Sequence, residues 1–213
     1  MRHILLVVAA CWLCGCSPRD HFWKPPDFGV PYTNLAAAVQ AGAAVRNLDL
    51  YNQKLTALPA EVLSLPALER LCLRRNALGT LPDAIGTLQN LTWLDLGEAG
   101  LTALPVEVGR LGKLTSLYLN DNRLTALPPE LGKLANLRYL NLDRNQLKEL
   151  PAELCRLPRL TWLRLNGNQL AALPADLGAW PQTLRRLYLQ GNPLPDAEKQ
   201  RLRQALPNCE LIF

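Results

Sequence analysis

Histidine is nearly absent from this sequence. Among 213 residues there are only two, His3 and His21, and both precede the main body of the chain. A histidine-based catalytic triad or a histidine metal cluster therefore cannot form beyond residue 21. No pair of a nucleophile and a base is visible elsewhere. We therefore predict that the protein is not an enzyme and has neither a metal site nor another cofactor.

Cysteine and charge are also in short supply. Three of the six cysteines crowd the N-terminus, and the other three, Cys72, Cys155 and Cys209, lie far apart with no CxxC pair among them. This pattern argues against a disulfide-stapled miniprotein and a zinc knuckle. Charged residues make up 19% of the chain and the net charge is +5, which is too mild and scattered to indicate nucleic acid. A hydrophobic content of 49% excludes a disordered chain.

One apolar run, residues 4–13, follows Arg2 near the N-terminus. Its ten residues are half of the roughly 20 that a membrane-spanning helix needs, so its length favours a secretory signal. The run ends in Leu13-Cys14-Gly15-Cys16, which resembles a bacterial lipobox. The resemblance implies a signal peptide over residues 1–15 and a diacylglycerol on Cys16. The alternatives are an ordinary signal peptide, or a buried apolar segment that ends in cysteines.

Proline dominates the segment that follows. Residues 16–31 contain four prolines, which favour an extended backbone. We predict a semi-rigid tether with a reach of ~45 Å at ~3.1 Å per residue. Alternatively, Phe22, Trp23 and Phe28 dock on the folded part of the chain. Ser17, directly after the lipidated cysteine of the resemblance, implies the outer rather than the inner membrane of the bacterial cell envelope.

An internal repeat covers residues 45–194. The pattern LxxLxLxxNxL begins seven times, with a spacing of 23 residues five times and then 24, at Val45, Leu68, Leu91, Leu114, Leu137, Leu160 and Leu184. Leucine fills the fourth, sixth and eleventh positions of every copy. The alternation in LxLxx predicts a short strand, and a unit this small must stack on its neighbours to bury its leucines. The pattern therefore predicts a parallel sheet along a stack of repeats.

The most regular copy, residues 81–103, reads LPDAIGTLQNLTWLDLGEAGLTA and resembles the 23-residue leucine-rich repeat of the Ras-group type. The resemblance implies an α/β solenoid, a right-handed horseshoe with short parallel strands on its concave face. The convex face would carry short helical or 3-10 turns, each begun by a recurring Leu-Pro pair. We expect helical caps at residues 32–44 and 195–213.

Asparagine recurs at the ninth position of five repeats. Its side-chain amide can bond to inward-turning backbone groups and to the next repeat, which predicts a structural ladder formed by Asn76, Asn122, Asn145, Asn168 and Asn192. Ala99 replaces it in repeat three, beside Gly97 and Gly100. We therefore expect repeat three to be the loosest.

Large aromatic residues stand at strand positions expected to face solvent on the concave side. Mixed with arginine and aspartate on a rigid sheet, they have the composition of protein-binding hot spots. We predict that a partner contacts Trp93, Asp95, Tyr118, Tyr139, Asp143, Trp162, Arg164 and Tyr188. The alternative is that these aromatics only pack across strands, which favour such residues in any case.

The sequence thus predicts a non-catalytic protein–protein interaction module, lipid-anchored in the bacterial cell envelope. We expect a monomer that binds a protein partner and no nucleic acid. Two other functions stay open. One is a released, effector-like leucine-rich repeat protein that binds host proteins, and the other is a module that binds glycans.

Overall fold

The computed structural model describes residues 29–213. The predicted signal peptide, Cys16 and the tether up to residue 28, with Phe22, Trp23 and Phe28, lie outside the described residues. Within the described part of the chain, no helix is long and apolar enough to cross a membrane. The same residues contain no group of three or more histidine, cysteine or acidic side chains that could hold a metal ion.

Eight strands of three residues each form one parallel sheet in sequence order. Each repeat contributes one strand and the C-terminal segment adds the eighth; they are β1 (Asn47–Asp49), β2 (Arg70–Cys72), β3 (Trp93–Asp95), β4 (Ser116–Tyr118), β5 (Tyr139–Asn141), β6 (Trp162–Arg164), β7 (Arg186–Tyr188) and β8 (Glu210–Ile212). Equivalent residues of successive repeats pair side by side, as Leu71 does with Leu94. The predicted solenoid with strands on one face and short turns on the other is confirmed.

The leucines of the repeat form one continuous core. The central leucine of every strand from β1 to β7 is fully buried, and a single hydrophobic cluster extends from Ala38 to Leu206. Because side chains alternate between the two faces of a strand, the residues on either side of each central leucine point to the concave surface.

Five 3-10 segments line the convex side: Ala60–Ser64, Asp83–Thr87, Val106–Arg110, Pro129–Lys133 and Ala152–Arg156. A proline of the Leu-Pro pair lies directly before each of them, with φ near the value that the proline ring imposes. Each segment also has an acidic residue in its first turn, where a carboxylate faces the free N–H groups. The leucine-proline-acid pattern therefore starts a short turn at each repeat.

Glycine allows these segments to pack closely. A Cβ atom on Gly109 or Gly132 would lie 2.5 Å from the carbonyl oxygen of Glu130 or Glu153 in the next segment. Cys155 occupies the equivalent position in the last of these segments, where the next repeat has the helix α2 (Trp180–Thr183) instead of a 3-10 turn. The close approach recurs one repeat further on, where a Cβ atom on Gly178 would lie 2.5 Å from the Cys155 carbonyl oxygen.

Helices lie at both ends of the stack. Helix α1 (Leu35–Ala41) leads into a 3-10 turn, Gly42–Ala44, and its N-cap Asn34 accepts a hydrogen bond from the Ala37 N–H at 3.0 Å. Helix α3 (Asp196–Ala205) follows Pro195 and precedes β8. Together they cover the apolar ends of the core.

The three cysteines of the described residues form no disulfide with one another. Cys72 and Cys155 are buried, on the concave and convex sides respectively, and Cys209 is half-buried near the C-terminus. Burial raises the pKa of both Cys155 and Cys209 to about 12. Since the thiolate is the reactive form, these two thiols are protonated and inert near neutral pH.

Candidate functional site

An asparagine ladder supports the concave face. Asn122 Nδ2 donates to the carbonyl oxygens of Leu96 and Leu119, both at 2.9 Å. Its Oδ1 accepts from the N–H groups of Ala99 and Leu101, at 3.1 and 2.9 Å. Corresponding bonds, which link each asparagine to its own and the preceding repeat, are made by Asn76, Asn145, Asn168 and Asn192. Side chains thereby satisfy backbone groups that turn inward between most neighbouring repeats.

Four aromatic rings form a continuous stack on the concave face. We call this set, Trp93, Tyr118, Tyr139 and Trp162, the concave aromatic stack. Its successive ring centroids are 5.3, 4.9 and 6.1 Å apart, within the usual range for interacting rings. The fully buried Ser116 lies between Trp93 and Tyr139 in the sheet register, and its small side chain leaves room for the Tyr118 ring.

An arginine covers each end of this stack. The Arg70 guanidinium lies 4.1 Å from the centroid of Trp93, and that of Arg186 lies 5.4 Å from Trp162. Arg164 covers Tyr188 in the same way, at 4.8 Å. Cation–π contacts thus extend the stack from β2 to β7.

The predicted solvent exposure of these aromatics is wrong. Trp93 and Tyr118 are 3% exposed, Tyr139 is 5% exposed and Trp162 is 9% exposed. Their side chains do project from the concave face, but strands about 4.8 Å apart bring neighbouring rings into contact, so that each covers the next. Arg164 and Tyr188, at the end of the predicted surface, are half-buried.

The two predicted aspartates are buried as well. Asp143 Oδ2 accepts from Arg164 Nε and its Oδ1 from the Asn166 N–H, both at 2.7 Å. Asp95 Oδ1 accepts from the Gly97 N–H at 2.8 Å and lies 3.9 Å from Arg74 Nη1. Both carboxylates therefore bind neighbouring groups of the same face, and neither projects freely toward a partner.

Arg74 is a site residue that the sequence analysis missed. It is 4% exposed, pairs with Glu98 and reaches Asn120 of repeat four at 3.5 Å. A Cβ atom on Gly97 would lie 2.5 Å from Arg74 Nη1, so this glycine provides the space that the arginine occupies. Arg74, Gly97 and Asn120 occupy the same outward strand position of repeats two, three and four. A glycine between two long polar side chains at this position is the sequence signal for their contact. The expectation of a loose third repeat attributes Gly97 to a different cause.

Asp95 should make the stability of the protein dependent on pH. Burial raises the pKa of its carboxyl from 3.8 to about 6, although Arg74 and the Gly97 N–H act in the opposite direction. Between these pH values the folded state holds a proton that the unfolded state has lost, so stability falls as pH rises. Relative to wild type, Asp95→Asn should therefore gain about 1–3 kcal/mol between about pH 4 and pH 7.

Urea unfolding at several pH values measures this difference. Asp196→Asn, at an exposed carboxylate of helix α3, controls for the loss of one charge. Parallel pH profiles for wild type and Asp95→Asn would contradict the prediction.

The repeat architecture agrees with a known protein family. The model of the family described as leucine rich repeat matches residues 43–98 and 112–170, which together exceed half of the chain. The chain belongs to the leucine-rich repeat family. Proteins of this family are non-catalytic protein-interaction modules, so the prediction that the chain is not an enzyme is confirmed. A comparison with curated proteins gave no match.

Solved leucine-rich repeat structures resemble this one. A leucine-rich repeat protein of Leptospira interrogans is 32% identical, with a TM-score of 0.60 over 86% of this chain and 58% of that chain. An internalin of Listeria monocytogenes is 22% identical, with a TM-score of 0.69 over 80% and 48%. The plant peptide hormone receptor RGFR1, in complex with RGF2, is 30% identical, with a TM-score of 0.56 over 64% and 23%. The chain therefore spans less than two thirds of each of these proteins.

Proposed function

We propose that this leucine-rich repeat protein binds a protein partner on its concave face. The observation that carries the proposal is the concave aromatic stack with arginines at both ends. Aromatic and arginine side chains dominate binding energy at protein interfaces. Here they are held by mutual packing, so little conformational freedom would be lost on binding.

Burial divides the predicted contact residues into two groups. Trp93, Tyr118, Tyr139 and Trp162 are almost fully covered and determine the shape of the face. The half-buried Arg164 and Tyr188, next to the exposed Gln190, offer more side-chain surface. We therefore propose repeats six and seven as the centre of the contact.

A protein or peptide partner is favoured over a glycan. The plant receptor that resembles the chain at 30% identity was solved in complex with RGF2. The buried aspartates, Asp95 and Asp143, already accept hydrogen bonds from neighbouring groups, which leaves fewer acceptors for sugar hydroxyls. The glycan-binding alternative loses support for this reason.

Site-specific photo-crosslinking in cells tests the proposal. A benzoyl-phenylalanine at Tyr188 replaces one aromatic ring by another on the concave face, and the same residue at Val106, 49% exposed on the convex side, is the matched control. We expect one discrete crosslinked protein from position 188 and none from position 106. Crosslinks of equal strength from both positions, or from Val106 alone, would refute the concave face as the binding surface.

We further propose that a lipid on Cys16 anchors the protein in the bacterial cell envelope, in the outer membrane. The Leu13-Cys14-Gly15-Cys16 motif after a short apolar run supports this. Mass spectrometry of the mature N-terminus should find acylated Cys16, and a Cys16→Ser variant should lose the modification. An unmodified protein in the culture medium would instead support the released-effector alternative, and an intact Met1 would contradict both export proposals.

A further inference from the structure

The junction of repeats six and seven has an irregularity on the edge of the sheet where the strands begin. The irregularity lies at the end of repeat six, just before repeat seven begins: repeat six is one residue longer than those before it, and its convex segment is helix α2 rather than a 3-10 turn. The fully buried Trp180 anchors this helix, since its Nε1 donates to the Leu154 carbonyl oxygen at 3.2 Å. Gln182 and Thr183, at the end of α2, consequently form one side of an open pocket of about 420 Å³.

Three arginines line this pocket. Its remaining lining consists of Pro158, Thr161, Gln182 and Thr183, so that within residues 29–213 no carboxylate contributes to it, whereas the basic side chains are Arg138, Arg159 and Arg185. Both threonine hydroxyls donate to backbone carbonyl oxygens. The groups that can donate to a ligand are therefore mainly cationic.

The sheet register places the arginines on opposite sides of the pocket. Arg138, Thr161 and Arg185 directly precede the paired residues of β5, β6 and β7. Two strand spacings, about 10 Å, separate the backbones of the two arginines, with Thr161 between them. Arg159 is held in place by a bond from its Nη1 to Asn136 Oδ1 at 2.8 Å.

Several surface arginines outside the pocket are paired with carboxylates. Arg46, Arg144 and Arg201 each pair with a carboxylate. In the described part of the chain, the exposed Arg138 and Arg185 form no such ion pair. Converging guanidinium groups bind tetrahedral oxyanions through paired N–H donors, which a carboxylate partner would otherwise occupy.

We propose that this pocket, which we call the arginine pocket, binds a phosphate group. The ligand is either free phosphate or the phosphate of an ester such as a lipid headgroup. The pocket volume leaves space for a substituent beside the phosphate. The site lies on the edge of the sheet and does not depend on partner binding at the concave face, so the two proposals can fail separately.

Isothermal titration calorimetry of the full chain at constant ionic strength tests the arginine pocket. Inorganic phosphate is the first probe, and glycerol 3-phosphate, the headgroup fragment, is the second. The double variant Arg138→Gln, Arg185→Gln should bind the better probe at least about tenfold more weakly, because each guanidinium contributes charge-assisted hydrogen bonds. The control Arg123→Gln, Lys148→Gln removes the same charge from exposed positions after the strands and should bind like wild type.

The possible results are distinct. Tighter binding of glycerol 3-phosphate supports the site and identifies a phosphate ester as its ligand, whereas tighter binding of inorganic phosphate supports it and identifies the free ion. Equal losses in the two double variants would show general charge attraction and overturn the proposal. Failure of wild type to bind either probe would also overturn it. Unchanged thermal unfolding should verify that the variants, altered only at exposed side chains, are folded.

Discussion

Replacing Asn122 with alanine should lower the free energy of unfolding by about 3–4 kcal/mol. The side chain links two repeats, through Leu96, Ala99 and Leu101 of repeat three and Leu119 of its own repeat. Each buried backbone group left without a partner costs about 1–3 kcal/mol, and partial relaxation reduces the sum. Ala99 has no side-chain amide, and Asn122 Oδ1 also accepts a hydrogen bond from the Ala99 backbone N–H. We therefore expect replacement by alanine to cost more stability at Asn122 than at the other positions of the ladder.

Urea unfolding of Asn122→Ala measures this loss of stability, and Asn136→Ala is the control variant. Asn136 lies on the edge of the sheet, where its Nδ2 donates to the Gly112 carbonyl oxygen and its Oδ1 accepts from Arg159 Nη1, both at 2.8 Å and in reach of water. Its replacement should cost less than about 1 kcal/mol, since water can substitute for an exposed hydrogen bond. Similar losses in both variants would show that the ladder contributes no more than a surface amide.

Replacing Gly132 with alanine should destabilise the protein by about 2–3 kcal/mol. The added Cβ would lie 2.5 Å from the Glu153 carbonyl oxygen and 2.7 Å from the Glu153 Cβ. Neither atom is the flexible end of a side chain, so relief requires the two 3-10 segments to move apart. Overpacking of this kind typically costs 1–3 kcal/mol. The shift in the urea midpoint at an unchanged slope measures the loss.

Gly112→Ala is the matched control for this substitution. Gly112 lies just after the preceding 3-10 segment, and a Cβ atom there would meet no atom within 4 Å. Its replacement should be neutral or stabilise the protein by up to about 1 kcal/mol, because alanine restricts the unfolded chain. If Gly132→Ala proved as harmless as Gly112→Ala, close packing of the convex segments would not be the reason for glycine at this position.

Much of the fold could be predicted from the spacing of the leucines in the sequence alone. Leu71 and Leu94 occupy the same position of successive repeats, and the structure pairs them in the sheet. Such positions are predictable because burial of the leucines and alternation along a strand are properties of one short segment repeated seven times. Helix α2 was not predicted, although the 24-residue spacing that accompanies it was visible in the sequence.

The candidate site was predicted less completely. The side chains of Trp93 and Trp162 face the concave side as expected, but they are buried in a stack that the strand pattern does not reveal. The bond of Arg74 to Asn120 joins residues of repeats two and four, and it depends on Gly97 in the repeat between them. A contact of this kind requires three consecutive repeats in their final register.

The scarcity of histidine, the repeats and their inward leucines belong to the sequence by itself, and they determine a stacked, non-catalytic architecture. The tertiary structure alone decided which concave side chains are covered and where arginines gather without carboxylates. The physical reason is the distance along the chain between residues that are neighbours in the sheet. Outward residues 23 positions apart in the chain meet only when their strands stack about 4.8 Å from one another, so their burial, ion pairs and pocket depend on neighbours that no single repeat contains.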